Sequence, residues 1–532
     1  MGERVVIADK LSANGVNLLK STSGIDVVDV VGKGPEALRD ALVDAAALIV
    51  RSETQVTKEL MAAAPKLRVI ARAGIGTDNI DVEEATNRGI PVLTAPGANS
   101  TSAAEHALAL MLSLCRKVPA AAASMAAGKW DRKSFEGTEL RGKTLGILGL
   151  GRIGSMVAKI AQAFGMTVIA LDPYVVAGHA LSLGVELLPL DDVLSRADLL
   201  TLHIALTDDT RGLLNAARLA KTKKGVMIVN TARGALIDDA ALIAALESGQ
   251  VAGAALDVFE VEPLAADSPL RKAPNLILTP HLGASTKEAQ TRVAGEIAES
   301  VRDALLSGDL RSAVNLGGLD AKHVAASKPL LDLGEQLGRL AQTLAPGAVE
   351  SIDVRYYGSD ERGADTAGIA ALKGVLLAIG LSRVSLVNAA HLARQRGIRV
   401  TRSSEDSGAF RESLRVELVA EGKRVRVNGA LLGDSRTRIV AIGDHKVDVD
   451  PTGVLLVVTN RDVPGVVGKV GTILGGAGVN ISDYHQSRPP KKGDDALAAI
   501  AVDVRVPVPV LDELRKAPEL TGVWQVELGT KS

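Results

Sequence analysis

The stretch Lys143-Thr144-Leu145-Gly146-Ile147-Leu148-Gly149-Leu150-Gly151-Arg152-Ile153-Gly154 decides how this chain is read. An apolar run of strand character, Thr144 to Leu148, passes directly into Gly149-x-Gly151-x-x-Gly154. Ser155 to Phe164 then carries apolar residues at helical spacing (Met156, Val157, Ile160, Ala161), and a second strand, Thr167 to Leu171, ends on Asp172. Strand, glycine turn, helix, strand and acid in that order form the dinucleotide-binding fingerprint. The first glycine permits the tight turn, the second lets backbone approach a pyrophosphate, and the third lets helix pack on strand. The helix start offers free N–H groups and the positive end of its dipole to phosphates. Asp172 suits the two adenosine ribose hydroxyls and repels a 2′-phosphate, so the reading is NAD rather than NADP.

The rest of the chain is ordinary in composition and long enough for three or four domains. Its 532 residues are 47% hydrophobic, 23% charged and 2% aromatic, so the cores are built from Ala, Val, Leu and Ile. A formal net charge of −1 argues against a general polyanion binder, and no nucleic-acid partner is expected. Cys115, the single cysteine, lies in an apolar helical run and reads as a small core residue. The N-terminus enters a strand without a signal-like segment, and no uncharged apolar run reaches ~18 residues, so a soluble cytoplasmic protein without a membrane partner is expected. No metal site is expected either.

Residues 1 to 98 alternate short strands with helices but lack the glycine fingerprint. Two of their strands end on arginine, Arg51 followed by Ser52, and Arg72. Beyond strand ends such a pair can grip a carboxylate or phosphate through forked hydrogen bonds, or can simply be solvated surface charge. Pro96-Gly97 reads as a hinge, and Ser102 with Glu105 as a capping box opening the next helix. Six strands between 144 and 279 fit one doubly wound sheet, closed by Thr279-Pro280-His281. The helix from Thr286 to Leu306 is expected to pack back on the first domain and make it discontinuous. From Asn315 the strands pair locally, with hairpin turns at Glu421-Gly422-Lys423 and Gly443-Asp444. The last 80 or so residues read β-α-β-β-α-β, a ferredoxin-like sandwich with an exposed loop from Pro489 to Asp495.

Three polar clusters end strands of the central sheet: Asn230-Thr231-Ala232-Arg233, the acidic run Asp257 to Glu262, and Thr279-Pro280-His281. An arginine, a carboxylate and a histidine beside a hydride acceptor make a coherent set. The histidine takes a hydroxyl proton, the carboxylate orients the ring, and the arginine holds a substrate carboxylate and the developing carbonyl.

These segments, with Ala71-Arg72-Ala73-Gly74-Ile75-Gly76, Asp78-Asn79-Ile80-Asp81 and Pro280-His281-Leu282-Gly283-Ala284-Ser285-Thr286, resemble the D-2-hydroxyacid dehydrogenases over essentially the whole chain. Within that family the similarity is to the long-form branch acting on 3-phosphoglycerate. The resemblance implies an α/β enzyme. A Rossmann domain (99–284) is inserted in a discontinuous flavodoxin-like substrate domain (1–98 and 285–315). An α+β intervening domain (316–451), similar to an allosteric-substrate-binding domain, and a ferredoxin-like ACT domain (452–532) follow.

The resemblance further implies Arg233, Glu262 and His281 as the catalytic set. It implies Gly149, Gly151, Arg152, Ile153, Gly154, Asp172, Thr231, Ala232, Arg233, Asp257, His281, Gly283 and Ala284 around NAD. Arg51, Ser52, Arg72, Asn99 and Ser100 would contact 3-phosphoglycerate, and Arg132 and Lys133 would reach a neighbouring subunit's site. Asn460, Asp462 and Asn480 fall where the family binds a serine effector between paired ACT domains, so a homo-oligomer, dimer or tetramer, is implied. Asn460 stands where relatives often carry Tyr or His, and Ile204 replaces a more usual Thr-Pro after His203. The rival expectations are a glyoxylate, hydroxypyruvate or 2-oxoglutarate reductase of the same family, and an NAD-sensing interaction protein.

Overall fold

The structure is a computed structural model that describes residues 2–529 apart from 318, 320, 361, 382, 407–409, 434–435 and 489–494. Two parallel sheets build its first half. The smaller has the order Ile25–Asp29, Glu3–Ile7, Ala47–Val50, Val69–Arg72, Val92–Leu93. The larger has seven strands in the order Leu276–Leu278, Val251–Leu256, Val226–Asn230, Leu199–Leu202, Thr144–Leu148, Thr167–Leu171, Glu186–Leu187. The seventh, unpredicted strand is the two-residue edge Glu186–Leu187. Strand order reverses between Thr144–Leu148 and Leu199–Leu202, so the glycine turn opens into the crevice where parallel sheets bind ligands.

The chain leaves the first sheet through Pro96-Gly97 and enters the helix Ser100–Cys115. The expected capping box is overturned here. Asn99 occupies the cap position, and Ser102 lies inside the first turn, its hydroxyl buried without a partner. After Leu276–Leu278 the chain returns, and the helix Lys287–Leu306 opens on Thr286, whose side chain accepts from the Ala289 amide. Val293, Ile297, Ala298 and Val301 of that helix share a core with Val5, Ile7 and Leu19. Contact with the helix Ala13–Ser21 is so close that a Cβ on Gly15 would lie 2.4 Å from the Ala294 carbonyl oxygen. The first lobe is thus assembled from both sides of the second.

The third sheet has the order Arg399–Glu405, Val349–Tyr357, Glu412–Ala420, Lys423–Leu432, Arg436–Ile442, His445–Val449, its first pair parallel and the rest antiparallel. Ala420 pairs with Lys423, so the first hairpin turn is the two-residue Glu421-Gly422 rather than three residues; φ is +47° and +73° there. The fourth sheet is antiparallel, ordered Ile481–Ser487, Ala496–Val502, Val454–Asn460, Leu520–Glu527. One of its faces packs on the helices Val466–Gly476 and Val508–Lys516. Leu455, Val457, Leu497, Ala499 and Val526 on the other face join the core of the third sheet around Leu333 and Leu337. The loop expected from Pro489 to Asp495 lies, but for Asp495, outside the described residues. Among the described residues no single helix is long and apolar enough to cross a membrane.

Candidate active site

Each fingerprint glycine has its own physical reason. Gly149 holds φ +99°, and a Cβ there would come within 2.7 Å of the His203 carbonyl. A Cβ on Gly154 would lie 2.1 Å from the Gly149 oxygen, whereas one on Gly151 would meet nothing within 4 Å. The turn is therefore closed on the protein side and open at the start of the helix Arg152–Ala163, where phosphates gather. Asp172 is fixed beside it by backbone amides: Leu150 donates to Oδ2 at 2.8 Å, Tyr174 and Val175 to Oδ1 at 2.9 and 3.2 Å. Arg152 donates from Nη1 to the hinge carbonyl of Pro96 at 2.7 Å, and Ile153 is half-buried. The Thr231 hydroxyl is buried without a partner. An open phosphate cradle, an oriented acid and an orphaned hydroxyl fit a dinucleotide.

Across the same strand ends lie the polar clusters. Asn230, 1% exposed, donates to the Arg233 carbonyl and accepts from the Ala232 amide, cinching the loop that follows its strand. His281 adopts the left-handed backbone at φ +53°, its amide donating to the Asp257 carbonyl at 2.9 Å. Its Nδ1 stands 2.7 Å from Glu262 Oε2, and Glu262 Oε1 accepts from the Phe259 amide at 3.0 Å. Burial pushes the Glu262 carboxyl up, but the hydrogen bonds from His281 and Phe259 outweigh it and hold the group below the ordinary glutamate range. That leaves an ionised partner for imidazolium and an Nε2 available to substrate.

Asp257 stands one layer behind. It is fully buried, with Thr279 Oγ1 and the Leu282 amide on Oδ1 and the Gly283 amide on Oδ2, and His106 Nε2 lies 3.0 Å away. In this geometry its carboxylate braces the His281 loop, with Gly283 buried and Ala284 half-buried beyond it. Burial raises the carboxyl, and the donors from His106, Thr279 and Leu282 bring it below the usual range.

The first lobe brings its Arg72 within electrostatic reach of Arg233. Arg72 has Nε buried without a partner, and its guanidinium lies over Gly74, where a Cβ would come within 2.1 Å of Nη1. Burial, then the nearby charges of Arg233 and Arg51, pull it down to about 10, with Asp78 and Asp9 opposing; it remains a cation at neutral pH. Arg51 and Arg233 are thus both within electrostatic reach of Arg72, an arrangement that attracts an anion. Buried Asp9 fastens the Arg51 loop, accepting from the amides of Arg51 at 2.6 Å and Thr54 at 3.1 Å. Ser52 is exposed; Asn99 Oδ1 and Ser100 Oγ are buried without partners at the start of the helix Ser100–Cys115.

Two groups of expected residues stand apart from this cleft. Arg132 and Lys133 are exposed on the arm after the helix Val118–Ala126, with no ion pair or side-chain hydrogen bond to the described residues. Asn460 is buried and donates to the Arg461 carbonyl, and Arg488 approaches Asp462 at 3.9 Å. Asn480 donates to Asp503 Oδ2 at 2.7 Å. Register puts Asn460 opposite Ala496 and Ile481 opposite Val502, so Asn460 and Asn480 occupy opposite ends of one sheet. His106 and Asp9 support the site without having been expected. Each was legible only as a polar residue in an apolar run.

Fold and cleft define an NAD-binding domain of the D-isomer-specific 2-hydroxyacid dehydrogenases, and the family model of that description matches residues 108–283. The D-3-phosphoglycerate dehydrogenase intervening domain matches 326–443 and the ACT domain 454–519. The chain is 40% identical to the D-3-phosphoglycerate dehydrogenase of Synechocystis sp., covering 99% of this chain and 95% of that one. It is 44% identical to that of Mycobacterium bovis, covering 96% of each. A glyoxylate reductase from Paecilomyes thermophila superposes with a TM-score of 0.54 at 33% identity, over 59% of this chain and 98% of its own. The chain belongs to the D-3-phosphoglycerate dehydrogenase family.

Proposed function

We propose that this chain oxidises 3-phospho-D-glycerate to 3-phosphohydroxypyruvate, the entry step of serine synthesis, with NAD as oxidant. The observation that carries the reading is that Arg51 and Arg233 both lie within electrostatic reach of Arg72, one from each lobe, while the His281–Glu262 pair follows successive strands beside the one that ends before Arg233. Bound NAD supplies the hydride acceptor. His281 Nε2 removes the hydroxyl proton as the C–H bond on the same carbon breaks, and the carbon–oxygen bond becomes a carbonyl. Glu262, held ionised, stabilises the resulting imidazolium and fixes the ring through Nδ1. Arg233 holds the substrate carboxylate, and Arg51 and Arg72 hold the phosphate. Asn99 and Ser100 offer further partners to the substrate through their orphaned oxygens.

A homo-oligomer is part of the same reading. The apolar helix Val118–Ala126 buries none of its residues, and Trp130 just beyond it is 79% exposed. A second copy covering that arm would bring Arg132 and Lys133 toward a neighbouring cleft. The opposite placement of Asn460 and Asn480 likewise suits a serine site shared by two antiparallel ACT domains.

The test is NADH formation measured with 3-phosphoglycerate against 2-hydroxyglutarate and glycerate, with and without L-serine. A higher kcat/KM on an unphosphorylated acid overturns the substrate assignment. Rates indifferent to serine overturn the effector alone.

A further inference from the structure

We infer that Asp78 is a positioning residue for Arg233, and that the segment from Gly76 to Asn79 sets the spacing between the arginines of the two lobes. This deepens the dehydrogenase reading and rests on it. Asp78 belongs to the loop after the first-lobe strand Val69–Arg72, and Arg233 to the loop after the second-lobe strand Val226–Asn230. Arg233 Nε donates to Asp78 Oδ2 at 3.0 Å across the cleft. Nη1 of the same guanidinium donates to the Ala232 carbonyl at 2.7 Å, so the Nη2 edge remains for a substrate carboxylate. A carboxylate in an anion site repels substrate, so its use there is geometric: it occupies the side of the fork that substrate does not need.

The neighbours of Asp78 fit that use. A Cβ on Gly76 would lie 1.9 Å from Arg233 Nη2 and 2.8 Å from Asp78 Oδ2, so residue 76 is the bare floor on which the pair rests. Asn79, 8% exposed, donates from Nδ2 to the carbonyls of Arg51 at 2.9 Å and Thr54 at 2.7 Å. Adjacent residues therefore index one arginine from each lobe. Asp78 also counters the mutual repulsion of Arg72 and Arg233. Its side chain is 64% exposed, so the pair contributes little to stability, and its loss is expected in kinetics rather than in folding.

The experiment is a double-mutant cycle on the full-length chain with Asp78→Ala, Arg233→Ala and the double variant. NADH affinity and thermal midpoint are read alongside initial rates. Asp78→Ala is expected to lower kcat/KM by about tenfold while NADH binding stays within about twofold. In the Arg233→Ala background the same change is expected to matter less than about twofold. Asp78→Asn, which keeps an acceptor for Nε, is expected to recover part of the loss. Equal losses in both backgrounds, or no loss in the wild-type background, overturn the inference. If the wild-type chain prefers another 2-hydroxy acid, the cycle is run on that acid, which separates failure of the substrate assignment from failure of Asp78.

Discussion

His281 is both the proposed base and the strand-end residue held in left-handed backbone, and the two facts are connected. Its amide is tied to Asp257 and its ring to Glu262, so the imidazole is pre-oriented before substrate arrives. His281→Ala is expected to cut kcat by about 100- to 10,000-fold while NADH still binds, read by stopped-flow rates and NADH fluorescence. Near-normal turnover would remove the residue from the chemistry. Asp257 gives a pH prediction. Its folded pKa lies below the usual value, so its stabilisation is present above pH ~4 and is lost as pH falls through the folded value. Asp257→Asn sets an amide against the Leu282 and Gly283 donors, so the variant should melt earlier at pH 7. The gap to wild type should narrow below pH ~4; a gap independent of pH would mean that charge is not what braces the loop. Arg233, Glu262 and His281 were legible because each follows a recognisable strand. His106 and Asp9 were not, since each meets its partner only after the chain has crossed between elements distant in sequence.

At the scale of elements, the glycine turn separates fold from binding. Gly154→Ala forces a methyl group against the Gly149 oxygen, so loss of stability is expected together with loss of cofactor. Gly151→Ala meets open space and is expected to melt within about 2 °C of wild type yet bind NADH at least about tenfold more weakly. Calorimetry and fluorescence titration distinguish the two, and equal behaviour would count against Gly151 as the phosphate floor. Sequence patterning identified the central strands, whose apolar runs are buried on both faces. It missed Ile25–Asp29, Glu186–Leu187 and Arg399–Glu405, all edge strands carrying charge, because an edge needs only part of its surface apolar. The helix Lys328–Leu344 was missed for a different reason. Gly334 and Gly338 weaken helix propensity in isolation, yet they let it lie backbone to backbone on Gly363–Ala378. A Cβ on Gly338 would sit 2.0 Å from the Ala371 oxygen.

The whole molecule is jointed unevenly. The third sheet's region touches the first lobe through polar groups: Arg383 donates to the Pro65 carbonyl at 2.6 Å, and buried Asn388 reaches the Asn87 carbonyl at 3.4 Å beside Gly89. The last domain, by contrast, is joined to its neighbour by a shared apolar core. The change from parallel to locally paired strands was legible in the sequence, but this asymmetry was not, because an inward-facing Val457 reads the same whichever layer it meets. Its practical meaning concerns where the polypeptide tolerates being cut. Expressed alone, residues 1–317 should remain dispersed in solution, since little greasy surface is uncovered. Stopping at residue 451 would remove Leu455, Val457, Leu497, Ala499 and Val526 from the shared core, and light scattering should find that product clumping. A lineage shedding its C-terminal modules would therefore be expected to discard both in one deletion rather than the final one first.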